Sequence, residues 1–413
     1  MRFREAEDYL LGLELFGMRF GLDRMHKLMT ALGMPQRRFA SVHVVGSNGK
    51  SSTARMIAAI LERHGLRTGA YTSPHLVSFR GRVEVRERPI GEAELAAAVA
   101  RAAHAAELVD RTSAPDDRVT QFEALTAAAY HELARQGVEV AVVEAGLGGR
   151  YDATNVIPSR VQVLTGVGLE HTRWLGPTLA DIAEEKLAVV PSHGCLVAGE
   201  LEPEVEAVAA RVVAEQSARF VRAAATTDLR LRARGAFQRR NFALARAAAG
   251  AFLGRLDERA VERAGAELEI PGRLQVVGER PLELRDGAHN PAGARALAEA
   301  LPEVMGDRPL VGVVAILDDK DASGMLDALA PLLDHLVLTR TSNPRSLSPA
   351  TLESLAAKLG GPPSETVPDP TAALERGREL AGAGGAVLAT GSIYLIADLA
   401  RPHAEPGARA SRL

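Results

Sequence analysis

The sequence predicts an α/β protein in two parts: an N-terminal P-loop doubly wound domain and a smaller C-terminal Rossmann-like α/β domain. Three observations predict it. Short apolar, β-branched runs alternate with longer Ala/Leu-rich stretches along the chain. A glycine-rich turn containing Gly49-Lys50-Ser51 stands between the first such run and the helical stretch after it. The alternation then restarts after Ile270-Pro271-Gly272, where proline and glycine together interrupt regular structure.

Residues 41–45 (SVHVV) read as a buried strand, and residues 51–64 as the helix that follows its glycine turn. Residues 139–144 (EVAVVE) and 161–167 (VQVLTGV) repeat the strand pattern. Beyond Pro271 come 310–316 (LVGVVAI), 335–339 (HLVLT) and 386–390 (AVLAT). Apolar strands separated by helices imply parallel sheets with crossover helices, and sites at the strands' C-terminal ends. Two domains, 1–270 and 271–413, suit a chain of 413 residues, more than one core usually holds. Residues 401–413 read as a loose polar tail, and no short-period repeat is evident.

Composition narrows the function classes. Hydrophobic residues at 46% and charged residues at 24% are an ordinary globular balance. A formal net charge of -3 gives no electrostatic reason to expect a nucleic acid or an anionic membrane as partner. The single cysteine, Cys195, excludes an internal disulfide and fits a cytoplasmic setting. The charged opening MRFREAEDYL lacks the apolar core of a signal peptide, and no apolar run is long enough to span a bilayer.

The chemistry-bearing runs come next. In Val44-Val45-Gly46-Ser47-Asn48-Gly49-Lys50-Ser51-Ser52, backbone N–H groups would cradle phosphate oxygens, Lys50 would add a cation, and a serine hydroxyl could reach Mg²⁺. Val44 stands where the general P-loop pattern has its first glycine, so a plain strand-to-helix turn is the rival reading. Tyr71-Thr72-Ser73-Pro74-His75 is, on its own, a turn. In Thr120-Gln121-Phe122-Glu123 the ring suits either stacking on a flat heterocycle or helix core. Glu144-Ala145-Gly146-Leu147-Gly148-Gly149-Arg150-Tyr151-Asp152-Ala153-Thr154-Asn155 puts a carboxylate at a strand end, beside glycines that let backbone approach a ligand. Gly168-Leu169-Glu170-His171-Thr172, Glu185-Lys186, Gln238-Arg239-Arg240-Asn241, Pro271-Gly272-Arg273, Asp286-Gly287-Ala288-His289-Asn290-Pro291, Asp319-Lys320-Asp321 and Gly391-Ser392-Ile393-Tyr394-Leu395 complete the set. Alone, His171 reads as structural and Lys186 as a surface lysine.

Taken in order, these runs resemble the folylpolyglutamate synthase/dihydrofolate synthase family of the Mur ligase superfamily. The likeness covers most of the chain. Gly46–Lys50 is similar to the superfamily's GTNGK loop, and residues 144–155 match EVGLGGRLDATN nearly throughout. Five departures stand out: Ser47 for threonine, Ser51 for glycine, Ala145 for valine, Tyr151 for leucine and Glu170 for aspartate. The resemblance implies ATP at Gly46, Asn48, Gly49, Lys50, Ser51, Ser52, Asn241, Arg273, Asp286 and His289. It implies Mg²⁺, two ions, at Ser73, Glu144 and His171. It places the pteroate acceptor at Thr120, Gln121, Phe122, Glu123, Tyr151, Asp152 and Ala153, and a carbamate on Lys186. Lys50, Glu144, His171 and Lys186 are the implied catalytic group.

The implied reaction joins L-glutamate to a folate or dihydropteroate carboxylate. ATP first converts that carboxylate to an acyl phosphate, and the glutamate amine then displaces phosphate. Such phosphoryl transfer needs charge neutralisation more than a protein nucleophile. Closure of two domains over ATP would shield the acyl phosphate from water. A Mur-type cell-wall peptide ligase shares the loop, but DGAHNP and YTSPH favour folate. A catalytically silent ATP-binding module would be expected to have lost Lys50, Ser73, Glu144 or His171, and all four are present. A monomer is the expected state.

Overall fold

The computed structural model describes residues 1–14, 21–114 and 116–401, so the tail expected at 401–413 lies outside the described residues from 402 onward. Two sheets carry the fold. The first holds β1 (Ala40–Val45), β2 (Thr68–Tyr71), β3 (Val83–Val85), β4 (Arg88–Pro89), β5 (Val140–Glu144), β6 (Val161–Leu164), β7 (Cys195–Ala198) and β8 (Arg219–Arg222). Their order is β4-β3-β2-β5-β1-β6-β7-β8. All pairings are parallel except the β2–β3–β4 meander at one edge.

The second sheet holds β9 (Gln275–Glu279), β10 (Leu282–Arg285), β11 (Leu310–Val314), β12 (His335–Leu338), β13 (Ser364–Thr366) and β14 (Ala386–Thr390). Its order is β13-β12-β11-β14-β10-β9, parallel apart from the antiparallel edge strand β9. The α/β expectation therefore holds for both parts.

Each central strand is apolar throughout because both of its faces are covered. In β5, Val140 and Val142 face a core built with helices Lys50–Arg63 and Ala236–Leu253, while Ala141 and Val143 face one built with Glu92–Asp110 and Gln121–Arg135. In β11, Leu310 and Val314 pack towards helix Pro291–Met305, and Val311 and Val313 towards Pro370–Ala381. This alternation follows from the two-residue repeat of a strand. The predicted runs 161–167 and 310–316 overshoot, because the chain leaves the sheet after Leu164 and Val314 to form site loops.

Both sheets reverse strand order near their middles. From β1 the chain goes to β2 on one side, whereas β6, β7 and β8 lie on the other. In the second sheet β11, β12 and β13 run one way and β14 lies on the opposite side of β11. Crevices form at the C-terminal ends of strands where such reversals occur. Here segments following β1, β5, β6, β10, β11 and β14 line one shared cleft of about 1850 Å³.

Candidate active site

The phosphate loop follows β1. Gly46 (φ 145°) and Gly49 (φ 82°) take backbone conformations that favour glycine. A Cβ at Gly46 would collide with the Thr165 hydroxyl, and one at Gly49 would sit 2.6 Å from Asn241 Oδ1. Asn241 therefore lies directly on the loop. Thr165 Oγ1 donates to Asn48 O at 2.6 Å and so ties the loop to the end of β6. Helix Lys50–Arg63 starts at the loop with Gly49 as its cap, so its first N–H groups face the cleft. Lys50 Nζ donates to Gly46 O at 2.9 Å and Ser47 O at 3.0 Å, leaving its charge at the mouth of the loop.

Glu144 ends β5 and is 2% exposed. Ser51 Oγ donates to its Oε1 at 3.0 Å, and Ser73 N donates to its Oε2 at 3.0 Å. Burial raises its carboxyl pKa, against the pull of Lys50 and these two donors. Ser73 and His171 line the same cleft. His171 takes a left-handed backbone (φ 50°) at the start of the turn Thr172–Leu175. Burial lowers its pKa; Glu170 opposes that, while Lys320, Lys50 and Lys186 reinforce it. The imidazole is thus held in the neutral form that a cation can use.

Lys186 is 1% exposed, on helix Leu179–Leu187. The bland reading of a surface lysine is therefore excluded by position. Its Nζ donates to Gly46 O at 2.9 Å and to Glu170 Oε1 at 3.3 Å. Burial, reinforced by Lys50, brings the Lys186 ammonium down to about 8. Burial alone would raise the Glu170 carboxyl, but Lys50, Lys186 and His171 together hold it at about 2. Lys186 and Glu170 thus pair beside the phosphate loop, within the field of the Lys50 charge.

The wall of the cleft where the acceptor is expected follows β5 and the start of helix Gln121–Arg135. A Cβ at Gly146 would fall 2.7 Å from the Phe122 ring, so this glycine lets the ring reach the cleft. Phe122 stacks on Tyr71 with centroids 6.3 Å apart. Thr120 and Glu123 line the cleft but also form the helix's capping box, and Glu123 pairs with Arg24 at 3.0 Å. Gln121 does not line the cleft: its amide donates to Leu10 O at 2.8 Å and fastens the N-terminal helix. Tyr151 is 43% exposed, and Trp174, which lines the same cleft, is similarly open. Asp152, 6% exposed, accepts from Leu147 N at 2.8 Å and from Thr154. Burial raises its pKa against those donors.

From the part of the chain that carries the second sheet, Arg273, Asp286 and His289 enter the cleft. Asp286 braces the Arg273 segment by accepting from Leu274 N and Ala288 N, each at 2.7 Å. Burial brings the His289 ring down to about 4, so it is neutral at pH 7. Sequence reasoning missed four contributors. Arg24, Lys320 and Arg345 bring cations to the lining. Asn290 exchanges two side-chain hydrogen bonds with Asn48 of the phosphate loop, at 3.0 and 3.3 Å. Only the DKD and DGAHNP runs offered a sequence signal for Lys320 and Asn290.

The donor set fits Mg²⁺. Hydroxyl and carboxylate oxygens suit a hard cation, and Mg²⁺ is usually held by one or two carboxylates plus substrate phosphates. No group of three or more His, Cys, Asp or Glu side chains forms a metal cage among the described residues. No helix among them is long and apolar enough to cross a membrane.

Residues 272–393 match the family model described as Mur ligase, glutamate ligase domain. The chain is 36% identical over 381 residues to the dihydrofolate synthase/folylpolyglutamate synthase of Mycobacterium tuberculosis, covering 83% of this chain and 78% of that protein. It is 35% identical over 424 residues to a probable bifunctional folylpolyglutamate synthase/dihydropteroate synthase of Haloferax volcanii, covering 96% of this chain but only 50% of that longer protein. Among solved structures, Escherichia coli FolC in complex with DHPP and ADP superposes with a TM-score of 0.86 at 29% identity, covering 97% of each chain.

Proposed function

The chain belongs to the folylpolyglutamate synthase/dihydrofolate synthase family, and from that premise we propose how its cleft performs ATP-dependent ligation of L-glutamate to a folate or dihydropteroate carboxylate. The observation that carries the reading is the single cleft in which the phosphate loop, Glu144 and the Arg273–Asp286–His289 group face one another across two sheets. ATP lies with its phosphates on the N–H groups of residues 46–52. Its remainder contacts Asn241, Arg273, Asp286 and His289. The acceptor lies against Phe122, Tyr151, Asp152 and Ala153, with its carboxylate towards Lys50. We assign the working boundary between the two domains to residues 270–271, and a monomeric, cytoplasmic enzyme is the simplest form of the account.

A carboxylate is a poor acyl donor, because its leaving group would be oxide. Transfer of the γ-phosphoryl group to a carboxylate oxygen gives an acyl phosphate and ADP. The glutamate amine then attacks the carbonyl carbon, phosphate leaves with its bonding pair, and the amine proton goes to solvent or phosphate. Lys50 neutralises charge on the phosphoryl oxygens in the transition state. Ser73, Glu144 and His171 are the residues that would hold Mg²⁺, two ions in the full complement. When bound, Mg²⁺ would screen the phosphates and lower the cost of bringing an anionic carboxylate to them. Lys186, buried behind the loop with a depressed pKa, is poised to react with CO₂ as the neutral amine and carry a carbamate. Its Nζ–H can keep the bond to Gly46 O in that form.

The test is ADP release measured with dihydropteroate and with a folate monoglutamate separately, each with and without L-glutamate. Release requiring both an acceptor and glutamate is expected. A Mur-type ligase would ignore both acceptors, and a silent binding module would release nothing.

A further inference from the structure

Aromatic side chains in this protein are buried or half-buried, with two exceptions. Among the described residues, the only phenylalanine, tyrosine or tryptophan side chains that stand exposed are Tyr151 and Trp174, and both line the cleft. An open ring in a cleft offers a flat apolar face to a ligand. The turn that carries Trp174, the chain's one tryptophan, keeps the ring outside. His171 opens the turn, and its carbonyl accepts from Trp174 N at 2.8 Å and Leu175 N at 3.0 Å. Leu175 is buried beneath Gly148, where a Cβ would come within 3.0 Å of Leu175 Cδ2. Gly176 (φ 106°) is pressed against Asp181, with which a Cβ would collide. Leu175 thus fills the inner side of the turn, and Trp174 is displayed.

Arg173 is exposed and lays its guanidinium over the Trp174 ring, 5.3 Å from the centroid. It makes no ion pair among the described residues. Other cations of the cleft lining do: Arg24 pairs with Glu123, and Lys320 and Arg345 share Asp319. The cation–π contact holds the guanidinium beside the ring without neutralising it. A planar fork of donors next to an aromatic face suits a carboxylate carried close to an aromatic group.

We infer that Arg173 and Trp174 form the subsite for the non-reacting α-carboxylate of a glutamate-bearing acceptor, and so favour such acceptors over dihydropteroate. The inference rests on the acceptor placement given above. Dihydropteroate has one carboxylate, the one that reacts. A folate monoglutamate presents its γ-carboxylate for reaction and has an α-carboxylate left over, a full charge that needs a cation. Lys50 serves the phosphoryl oxygens, and Lys186 is bonded to Glu170. Arg173 is two residues from His171, in the same turn, and its charge is free for that carboxylate. Trp174 covers the apolar part of the acceptor beside it, which both acceptors share.

The experiment is calorimetric titration of the full chain, saturated with AMPPCP and Mg²⁺, with dihydropteroate and with dihydrofolate monoglutamate, which differ by one glutamyl unit. A third probe is dihydrofolate with its α-carboxylate replaced by carboxamide. Thermal unfolding verifies that each variant is folded. Arg173→Ala should weaken dihydrofolate about tenfold or more, since a lost hydrogen bond to a charged group is worth at least that, and leave dihydropteroate within about twofold. The carboxamide should bind the parent about as weakly as dihydrofolate binds Arg173→Ala, with no further loss in that variant. Trp174→Leu should weaken both natural acceptors. In the chain labelled with 5-fluorotryptophan, the single ¹⁹F resonance should shift with either acceptor. Equal loss of both acceptors in Arg173→Ala, no loss of dihydrofolate, or an unmoved ¹⁹F resonance overturns the inference. A parent that binds neither acceptor would instead overturn the ligase reading on which it stands.

Discussion

Thr154→Val perturbs a buried chain of polar groups that ends on Asp152 in the cleft lining. His43, in the middle of β1, and Thr154 are both fully buried. His43 Nε2 lies 2.8 Å from Thr154 Oγ1, and that hydroxyl donates its single hydrogen to Asp152 Oδ1. The imidazole must therefore donate through Nε2, and its other nitrogen, Nδ1, is buried without a partner. Replacing the hydroxyl by methyl strands the His43 N–H, which costs about 1–3 kcal/mol, and removes a hydrogen bond to a carboxylate worth about 1.5–3 kcal/mol. The Leu147 and Thr154 backbone N–H groups still hold Asp152. A net loss of about 3 kcal/mol follows, read as a shift of the urea midpoint at constant slope. In the double variant with His43→Phe the stranded donor is gone, so the two losses should fall short of additive by at least about 1 kcal/mol. His43 itself titrates at about 3 when folded against 6.5 unfolded, because burial disfavours the imidazolium. Below pH 6.5 only the unfolded chain takes up that proton, so stability falls by about 1.4 kcal/mol per pH unit down to about pH 3. His43→Phe should flatten that acid slope. Because Asp152 loses a donor that restrains its raised pKa, the KM for the acceptor should climb, with its acid limb moved to higher pH. A Thr154→Val variant within 0.5 kcal/mol of the parent (a loss ruled out by the estimate of about 1–3 kcal/mol above), or strict additivity with His43→Phe, would refute the reasoning.

Other consequences are simpler to state. Lys50→Ala should cut turnover about a hundred- to thousandfold, equivalent to about 3–4 kcal/mol, while circular dichroism stays unchanged; near-normal turnover would remove Lys50 from the chemistry. Lys186→Ala should lose most activity and regain part of it with formate or acetate, and intact mass of the parent under ¹³CO₂ should reveal the carbamate as a labile adduct. In CO₂-free buffer, the Lys186 ammonium titrates at about 8 folded against 10.5 unfolded, so the parent should gain stability between those pH values, and Lys186→Met should not. Asn290→Ala should loosen the contact between the two sheets' loops, seen as a larger radius of gyration in scattering without nucleotide; an unchanged profile would mean that the Asn48–Asn290 pair does not hold the cleft closed.

What was legible in the sequence follows from contiguity. β1, β5 and β11 announce themselves because strands covered on both faces must be apolar throughout. β8, whose run Arg-Phe-Val-Arg sits at a sheet edge, carries no such signal, and neither does the mixed run of β13. The phosphate loop and residues 144–155 were readable because each builds its part of the site from neighbours in the chain. Contacts between distant residues were not. Asn48 meets Asn290 across 242 positions, Ser51 meets Glu144 across 93, and Arg24 meets Glu123 across 99. Gln121 shows the opposite failure: its place in a matching run suggested the pocket, but the helix turns it towards Leu10, one residue before Phe122 swings into the cleft. Lys186 looked like a solvated lysine between Glu184, Glu185 and Leu187, and only the packing of its helix against the phosphate loop buries it.

The central claim is that the acceptor carboxylate is activated by phosphoryl transfer in this cleft. It is tested most directly with an acceptor whose γ- or benzoyl-carboxylate carries ¹⁸O. One labelled oxygen must bridge carbon and phosphorus in the acyl phosphate and leave with phosphate when the glutamate amine attacks. Mass spectrometry of the released phosphate should find one ¹⁸O for each amide formed. Amide formation with unlabelled phosphate would contradict the account, because the carboxylate oxygen would then have departed by another route.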